Sequence, residues 1–367
     1  NEDRITAGRI DMGAYEGGVD PMTLPPPKEY KVDENASPGG NGLTWGTAFR
    51  FLRDALAISS QGDIIRVARG SYYPDDGGKD NDRESMFAIP SGVKIYGGYP
   101  TGGGERDLNS NPTILSGDIR QSGEDNDKAY IVVKFNNANN ETVMDGFIIQ
   151  DSYNGDNKRK GQSGGINIRG GSPKIFNSII RRNATYAPLS EHNCQLDGAG
   201  IVLSGSNPEF VNCVISGNVA CRGAGLYSED STPSFTNCTF AGNSASIGVG
   251  AMLFNEGSVD ILNSIVALNY PSDPRYQIKG SETDLTINYS YLEGDHVGFS
   301  PVIYDNNFTE GLTFLKKLTS RQVGGETPSI LGDFRVLEGS VTINAGDPST
   351  EVIDKLELET DIRGQPR

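Results

Sequence analysis

The middle of the chain carries a repeat of about 25 residues, which constrains the fold more than any other feature. Each of four copies opens with a glycine and an alternating apolar run and closes, after a second apolar run, with an asparagine. The opening glycines are Gly165, Gly200, Gly225 and Gly250, and the closing asparagines are Asn183, Asn218, Asn243 and Asn269. The asparagines are 35, 25 and 26 residues apart, and an insertion around residues 185–193 explains the long interval.

A repeat of this length and composition predicts an all-β solenoid, a right-handed parallel β-helix. We expect three short strands in each coil, because apolar residues alternate with a period of two and β-branched residues are frequent. Asparagine and glycine tolerate the left-handed backbone conformation at the bends, and stacked asparagine side chains can hydrogen-bond between coils. The period of two excludes a helical repeat, and the missing leucine ladder excludes a leucine-rich repeat.

Less regular strands precede the repeat, and a cap is expected at each end of the solenoid. The predicted strands are residues 64–68, 93–96, 113–115, 130–133 and 143–149, with one more coil at 285–290. Residues 47–58 read as an amphipathic cap helix, with Phe49, Leu52 and Leu56 on one apolar stripe. We expect the β-helix to occupy residues 28–299, an irregular C-terminal cap residues 300–367, and a proline-rich linker residues 25–27.

The charge and composition of the chain exclude some classes of partner. The 367 residues include 32 basic and 48 acidic side chains, a formal net charge of −16, and only 35% of them are hydrophobic. Nucleic acids and anionic membrane surfaces are bound by clustered lysine and arginine, so neither is an expected partner. No apolar run approaches the roughly 18 residues of a membrane span.

The four cysteines lie close together but lack the paired spacing of a zinc site, and the chain has only two histidines. Cys213 and Cys238 occupy the same position in successive repeats, so we expect two stacked, buried thiols. Cys194 and Cys221 lie at the neck of the insertion. They are either free or joined by a disulfide that pins the insertion, which would indicate an oxidising, extracellular setting.

Several motifs together resemble the secreted bacterial choice-of-anchor Q domain proteins. They are WGTAF at residues 45–49, GDIIRVARGSYYP at 62–74, YGGY at 96–99, ILSGDI at 114–119, GDFRV at 332–336 and INAGD at 343–347. The glycine-rich coils are also similar, more weakly, to polymorphic outer membrane adhesins. The resemblance implies a secreted or surface β-helix, often within a very long protein and without an established catalytic site.

The closing motif of that family is divided between the two ends of this chain. Its first half matches TDIRGQPR at residues 360–367, and its second half matches GRIDMGAYE at residues 8–16. The chain is then one period of a tandem array, with residues 1–27 as the closing segment of a preceding module plus linker; a circular permutation is the alternative. In either case residues 1–16 should pack at a C-terminal cap. The residues expected to mediate this packing are Arg9, Asp11, Tyr15, Glu16, Asp361 and Arg363.

β-Helix folds also include polysaccharide lyases and galacturonan hydrolases, so a catalytic site is an alternative. His192 and His296 lack the Gly-His-Gly element of the hydrolases. A mixed-charge cluster could serve a lyase, which uses an arginine or lysine base, but such a cluster is more often a solvated surface. Its members are Asp151, Asp156, Lys158, Arg159, Lys160, Arg181 and Arg182.

A carboxylate-rich loop is a better candidate for a ligand, because calcium prefers several oxygen ligands. Its candidate ligands are Asp76, Asp80, Asp82 and Glu84, although Lys79 and Arg83 could neutralise the loop instead. A set of tyrosines either lines a glycan-binding groove or, more typically, packs along the coils and cap. They are Tyr72, Tyr73, Tyr96, Tyr99 and Tyr186.

These features together favour a non-catalytic role. We expect a structural and adhesive repeat module of a large extracellular or cell-surface bacterial protein, acting through rigid reach and through head-to-tail packing with neighbouring copies. The alternative is a polysaccharide lyase or a glycan-binding β-helix domain that uses the lateral groove. Calcium is the one cofactor considered, surface glycans are a further expected partner, and no nucleic acid or direct membrane insertion is expected.

Overall fold

The computed structural model describes residues 26–76, 82–155, 163–185, 197–270 and 276–305, and two short strands near the N-terminus. The described chain winds into stacked coils whose strands pair in parallel with the equivalent strands one coil away. This confirms the predicted parallel β-helix. Each complete coil passes in turn through three sheets, labelled A, B and C, and four coils add a two-residue strand in a fourth, sheet D.

Sheets A and B join through three long strands that bend from one face to the other, Met252–Leu262, Tyr276–Asn288 and Asp295–Asp305. The other strands of sheet A are Phe87–Ile89, Ile131–Ala138, Gly164–Gly171, Ile201–Ser204 and Leu226–Ser231. The other strands of sheet B are Glu29–Val32, Ile64–Ala68, Lys94–Tyr99, Val143–Asp145, Lys174–Phe176, Glu209–Val211 and Ser234–Thr236.

Sheet C is built from three-residue strands for most of its length. Its strands are Gly70–Tyr72, Thr113–Ser116, Ile148–Gln150, Ile179–Arg181, Val214–Ser216, Thr239–Ala241, Ile265–Ala267 and Tyr291–Leu292. The strands of sheet D are Tyr153–Asn154, Ala184–Thr185, Val219–Ala220 and Ser244–Ala245. Near the N-terminus, Ile5–Thr6 pairs antiparallel with Arg9–Ile10.

The core is a set of stacked apolar columns inside the coil. Along sheet B the inward column contains Ile175, Phe210, Phe235 and Ile261, which are all buried and lie in register from coil to coil. Each strand contributes only one or two inward side chains, because successive residues point to opposite faces. A chain with few apolar residues can therefore still fill this core.

The corner between sheets B and C depends on left-handed asparagines, as predicted. Asn177, Asn212, Asn237 and Asn263 have φ angles of 47°, 56°, 55° and 49°. Asparagine is one of the few residues that adopt this conformation at low cost. The Asn212 side-chain amide donates to Asn177 Oδ1 at 3.0 Å, and the Asn177 amide donates to the Asp145 carboxylate at 3.0 Å. Arg106 closes this row with a 2.7 Å ion pair to Asp145.

A second, fully buried asparagine ladder follows sheet C and consists of Asn183, Asn218, Asn243 and Asn269. The side-chain amide of each donates to the Oδ1 of the next, at 3.1, 2.9 and 2.8 Å. The repeated glycines leave room for it, because a Cβ on Gly165 would lie 2.5 Å from Asn183 Nδ2. The same contact recurs between Gly200 and Asn218 and between Gly225 and Asn243, which explains the pairing of glycine with asparagine in the first three repeats; in the fourth, Gly250 lies against backbone atoms of Asn243 and Tyr270 instead.

Two predicted elements differ from the structure. The strand predicted over residues 143–149 is two strands, because Gly146 turns the chain into the next sheet at a φ of 83°. The cap helix predicted over residues 47–58 begins only at Leu52 and ends at Ile58, after a 3₁₀ turn at Trp45–Thr47. Phe49 lies outside the helix because it forms a parallel bridge with Val32.

The N-terminal end of the solenoid is covered by the chain's own residues. Lys31 N donates to Gly42 O at 2.7 Å, and Asp33 N donates to Phe49 O at 2.9 Å. These two hydrogen bonds occupy the outer edge of the first strand of sheet B. Leu52, together with other residues of the short helix, joins the hydrophobic core. At the opposite end, strand Asp295–Asp305 pairs on one side with Tyr276–Asn288 and has no second strand partner among the described residues. From residue 306 onward, the predicted C-terminal cap lies outside the described residues.

Candidate functional site

A groove of about 540 Å³ crosses the outer surface of sheet A. Its lining residues come from three successive coils and are Asn167, Ile168, Arg169, Asp197, Val202, Leu203, Ser204, Arg222, Tyr227 and Glu229. Strand register brings Asn167, Val202 and Tyr227 side by side as one outward column. Arg169, Ser204 and Glu229 form the next column two residues along. The residues between these columns point inward. Arg169 and Glu229 are exposed, Tyr227 is half-buried, and Asn167 and Val202 are buried.

Among the described residues of this lining, Tyr227 supplies the one aromatic face. Its hydroxyl accepts a hydrogen bond from Asn255 Nδ2 at 3.0 Å. Burial raises the pKa of Tyr227, and the nearby Glu229 and Asp197 add to the rise. The backbone beneath the ring requires glycine, because a Cβ on Gly198 would lie 2.8 Å from Tyr227 Cβ and the φ of this residue is 71°. The ring is therefore held in place and keeps its hydroxyl proton at neutral pH.

An ion pair forms one wall of the groove. Arg222 Nε and Nη2 donate to the two carboxylate oxygens of Asp197 at 2.8 and 2.6 Å, and the backbones of the two residues form a parallel bridge. The hydrogen bond with Asp197 raises the pKa of Arg222. This two-point contact fixes both side chains in orientation, more firmly than a single-point lysine pair would.

The arrangement suits the binding of a polar ligand with an apolar face. A half-buried aromatic ring gives contact area, while fixed carboxylate, guanidinium and hydroxyl groups give directional hydrogen bonds. Sequence analysis missed this site because Asp197, Arg222 and Tyr227 carry no spacing motif and meet only through the coil register. The one signal in the sequence is that Tyr227 lies between Leu226 and Ser228, which point inward, so the alternation directs Tyr227 outward.

The mixed-charge cluster lies on sheet C and its corner, away from the groove lining. Arg182 Nη2 contacts Asp151 Oδ2 at 2.7 Å, and Arg181 Nε donates to Gln150 Oε1 at 3.1 Å. Burial lowers the pKa of Arg181, and the adjacent Arg182 adds to this effect. Asp156, Lys158, Arg159 and Lys160 lie outside the described residues.

The structure describes only part of the predicted calcium loop, and the calcium site stays a prediction. Asp76 Oδ2 accepts from Tyr73 N, and Asp82 Oδ1 accepts from Glu84 N, both at 2.9 Å. Burial raises the pKa of Asp76, and the adjacent Asp75 adds to the rise. Asp80 lies outside the described residues, which contain no group of three or more potential acidic, histidine or cysteine metal ligands.

Two of the tyrosines proposed for a glycan-binding groove are buried. Tyr72 is fully buried, and its hydroxyl donates to Ala68 O at 3.1 Å. Tyr99 is 6% exposed and packs against Trp45, with ring centroids 5.6 Å apart. Tyr73 and Tyr96 are partly buried, and Tyr186 lies outside the described residues. The packing interpretation therefore applies to Tyr72 and Tyr99.

The cysteines divide into two kinds. Cys213 and Cys238 are buried free thiols in successive coils, preceding the paired strands Val214–Ser216 and Thr239–Ala241. Burial raises the pKa of the Cys213 thiol, and Cys238 beside it adds to the rise. Cys221 is disulfide-bonded. Cys194 lies outside the described residues, so its pairing with Cys221 stays a prediction.

We expect Cys213 and Cys238 to resist alkylation by iodoacetamide at pH 8 in the folded protein, because both thiols are buried and inaccessible and burial raises the pKa of Cys213. Both should react once the protein is denatured without reductant. Peptide mass mapping checks this and should recover Cys194 and Cys221 as one disulfide-linked pair. Rapid alkylation of Cys213 in the native protein would contradict the packing described above.

The residues predicted to pack between modules fall almost entirely outside the described residues. Arg9 lies in the strand Arg9–Ile10 and pairs with Thr6. Asp11, Tyr15, Glu16, Asp361 and Arg363 are not among the described residues, so the packing stays a prediction. No helix in the described parts of the chain is both long and apolar enough to cross a membrane.

Comparisons with known proteins identify the fold and little more. The sequence matches the family described as right handed beta helix region over residues 124–269 and 164–316, which together span more than half of the chain. No curated protein matches the sequence. Among solved structures, pectate lyase Pel9A is 15% identical with a TM-score of 0.45, covering 89% of this chain and 94% of its own.

Two pectin methylesterases are comparably distant. The enzyme from Aspergillus niger is 12% identical with a TM-score of 0.45, covering 89% of this chain and 99% of its own. PemA from Erwinia chrysanthemi is 12% identical with a TM-score of 0.40, covering 74% of this chain and 80% of its own. Similarity at this level carries no inference about activity.

Proposed function

The chain belongs to the right-handed β-helix family, and from this premise we propose that it is a non-catalytic structural and adhesive module of a large extracellular or cell-surface protein. The observation that carries the proposal is the continuity of the stack. The buried ladder from Asn183 to Asn269 crosses four coils, and parallel strand pairing extends on both sides of it. A solenoid stabilised at every coil interface is a stiff spacer that can hold a binding surface away from its anchor.

Two further observations support this role. The disulfide at Cys221 suits an oxidising environment outside the cell. Among the described residues, strand Asp295–Asp305 has a strand partner on one side only, and an edge of this kind needs a cover because it invites association. We propose that the residues after 305 and the closing segment of a neighbouring copy provide it, through the packing predicted for Arg9 and Asp361. Calcium binding near Asp76 is a subsidiary proposal.

The groove on sheet A favours a second candidate function, the binding of a glycan. Tyr227 offers a ring face for a sugar, and Asp197, Arg222 and Glu229 offer hydrogen-bonding groups around it. Weak glycan contacts on one module would be multiplied in an array, as an adhesin requires. The two candidates are compatible, because a rigid module can carry the adhesive surface.

A turnover assay tests the non-catalytic proposal. We expect the purified chain, incubated with soluble polysaccharides with and without calcium, to release no new reducing ends and no unsaturated products above a boiled control. The matched variants are R181A and R182A, which remove two of the five basic side chains in the cluster predicted for lyase chemistry. Product formation that scales with protein concentration and falls in either variant would overturn the proposal.

A further inference from the structure

The charges of the groove indicate which kind of glycan it accepts. Among the described residues, the lining contains two arginines, Arg169 and Arg222, and two carboxylates, Asp197 and Glu229, so their formal charges cancel. The whole chain carries a net charge of −16. A site built for a polyanion would instead be lined by an excess of cations, as charge complementarity requires.

The Arg222 side chain already forms an ion pair within the protein. Its Nε and Nη2 both donate to Asp197, at 2.8 and 2.6 Å, and this is the edge that a ligand carboxylate would use for a two-point contact. A uronate that took the place of Asp197 would leave that carboxylate without its partner. The ion pair therefore acts as a fixed wall of the groove.

The two carboxylates near Tyr227, those of Glu229 and Asp197, also disfavour an anion. Its hydroxyl already accepts from Asn255 Nδ2, so the proton of the hydroxyl is the group that can be donated to a ligand oxygen. Glu229 follows Tyr227 by two residues on the same face of the strand and is exposed. Burial raises the pKa of Tyr227, and the nearby carboxylates of Glu229 and Asp197 add to the rise.

We infer that the groove binds an uncharged oligosaccharide and discriminates against polyuronates, an inference that rests on the proposed glycan-binding function. One sugar ring stacks on Tyr227, its hydroxyls bond to Glu229 and to the exposed parts of the Asp197–Arg222 pair, and the chain continues along the outer column past Ser204 toward Arg169. Two coil steps of about 4.8 Å separate Glu229 from Arg169, which suits a short oligosaccharide segment.

Affinity electrophoresis of the intact chain tests the inference. The neutral probes are soluble β-glucan, xylan, galactomannan and dextran, and the anionic probes are polygalacturonate and alginate. We expect at least one neutral polymer to retard the protein with little dependence on salt, and Y227A to weaken that binding about tenfold. Y227F, which keeps the ring, should retain most of the affinity. The matched control is Y270A, because Tyr270 is exposed and lies outside the groove lining.

The outcomes separate the inference from the function on which it rests. Preferential, salt-sensitive binding of an anionic polymer that Y227A abolishes would overturn the choice of ligand and leave glycan binding in place. Binding that Y227A leaves unchanged, while melting curves show both variants folded, would overturn the assignment to this groove. Retardation by none of the six polymers would overturn the glycan-binding function itself.

Discussion

Replacing Asn243 with alanine should lower the free energy of unfolding by about 4 kcal/mol, because two or three buried groups would lose a partner at roughly 1–3 kcal/mol each. The Asn243 amide donates to Ile215 O at 2.9 Å and to Asn269 Oδ1 at 2.8 Å. Its Oδ1 accepts from Asn218 Nδ2 at 2.9 Å and from Asn218 N at 3.2 Å. Asn243 is completely buried, so water cannot replace these bonds without opening the coil stack.

Equilibrium denaturation in guanidinium chloride, followed by far-UV circular dichroism, measures this change. N136A is the control, because Asn136 is an exposed asparagine within the strand Ile131–Ala138. Its substitution should alter stability by about 0.5 kcal/mol or less, as for most surface positions. Equal effects at the two positions would show that the buried ladder contributes nothing specific to the stack.

Replacing Phe235 with alanine should cost about 3–5 kcal/mol, the usual range for removing a buried phenylalanine ring. Phe235 is fully buried, stacks on Phe210 one coil earlier, and meets Phe240 edge to face, with ring centroids 5.1 Å apart in both pairs. The coil has no neighbouring segment that could collapse into the space, because hydrogen bonds fix the strands on all sides. The cavity would therefore persist.

The same denaturation experiment distinguishes loss of packing from a general effect of the substitution. F235L keeps most of the apolar volume and should lose much less stability than F235A. L43A is the exposed control, because Leu43 is 53% exposed, and we expect almost no change from it. A loss below about 1 kcal/mol for F235A would mean that the aromatic column is not a main source of stability.

The repeat could be predicted from the sequence because each coil reuses the same local solutions. Left-handed corners select asparagine or glycine, and the opening glycine must leave room for the buried asparagine, so both leave a periodic mark. The register confirms the repeat, since Ile166, Ile201, Leu226 and Met252 lie side by side in sheet A. The fourth copy is one residue longer, which places Ala251 rather than Gly250 next to Gly225.

The elements that could not be predicted depend on contacts between distant residues. The cap helix starts late because Phe49 pairs with Val32, and no local propensity reveals that bridge. Sheet D has strands of only two residues, which are too short for an alternating pattern to be recognised. The groove is the clearest example of a feature that could not be predicted. In the sequence Arg222 and Tyr227 resemble ordinary surface residues, and only the coil register brings them near Asp197.

The most direct test of the proposed structural role is cryo-electron microscopy of the protein in its native cell-surface assembly. We expect β-helical rods joined head to tail, with residues 1–16 docked on the segment that contains Asp361 and Arg363 in a neighbouring module. Tandem contacts of this kind would make the chain an assembly unit. Isolated solenoids, with residues 1–16 folded onto their own chain and no contact between copies, would contradict the account.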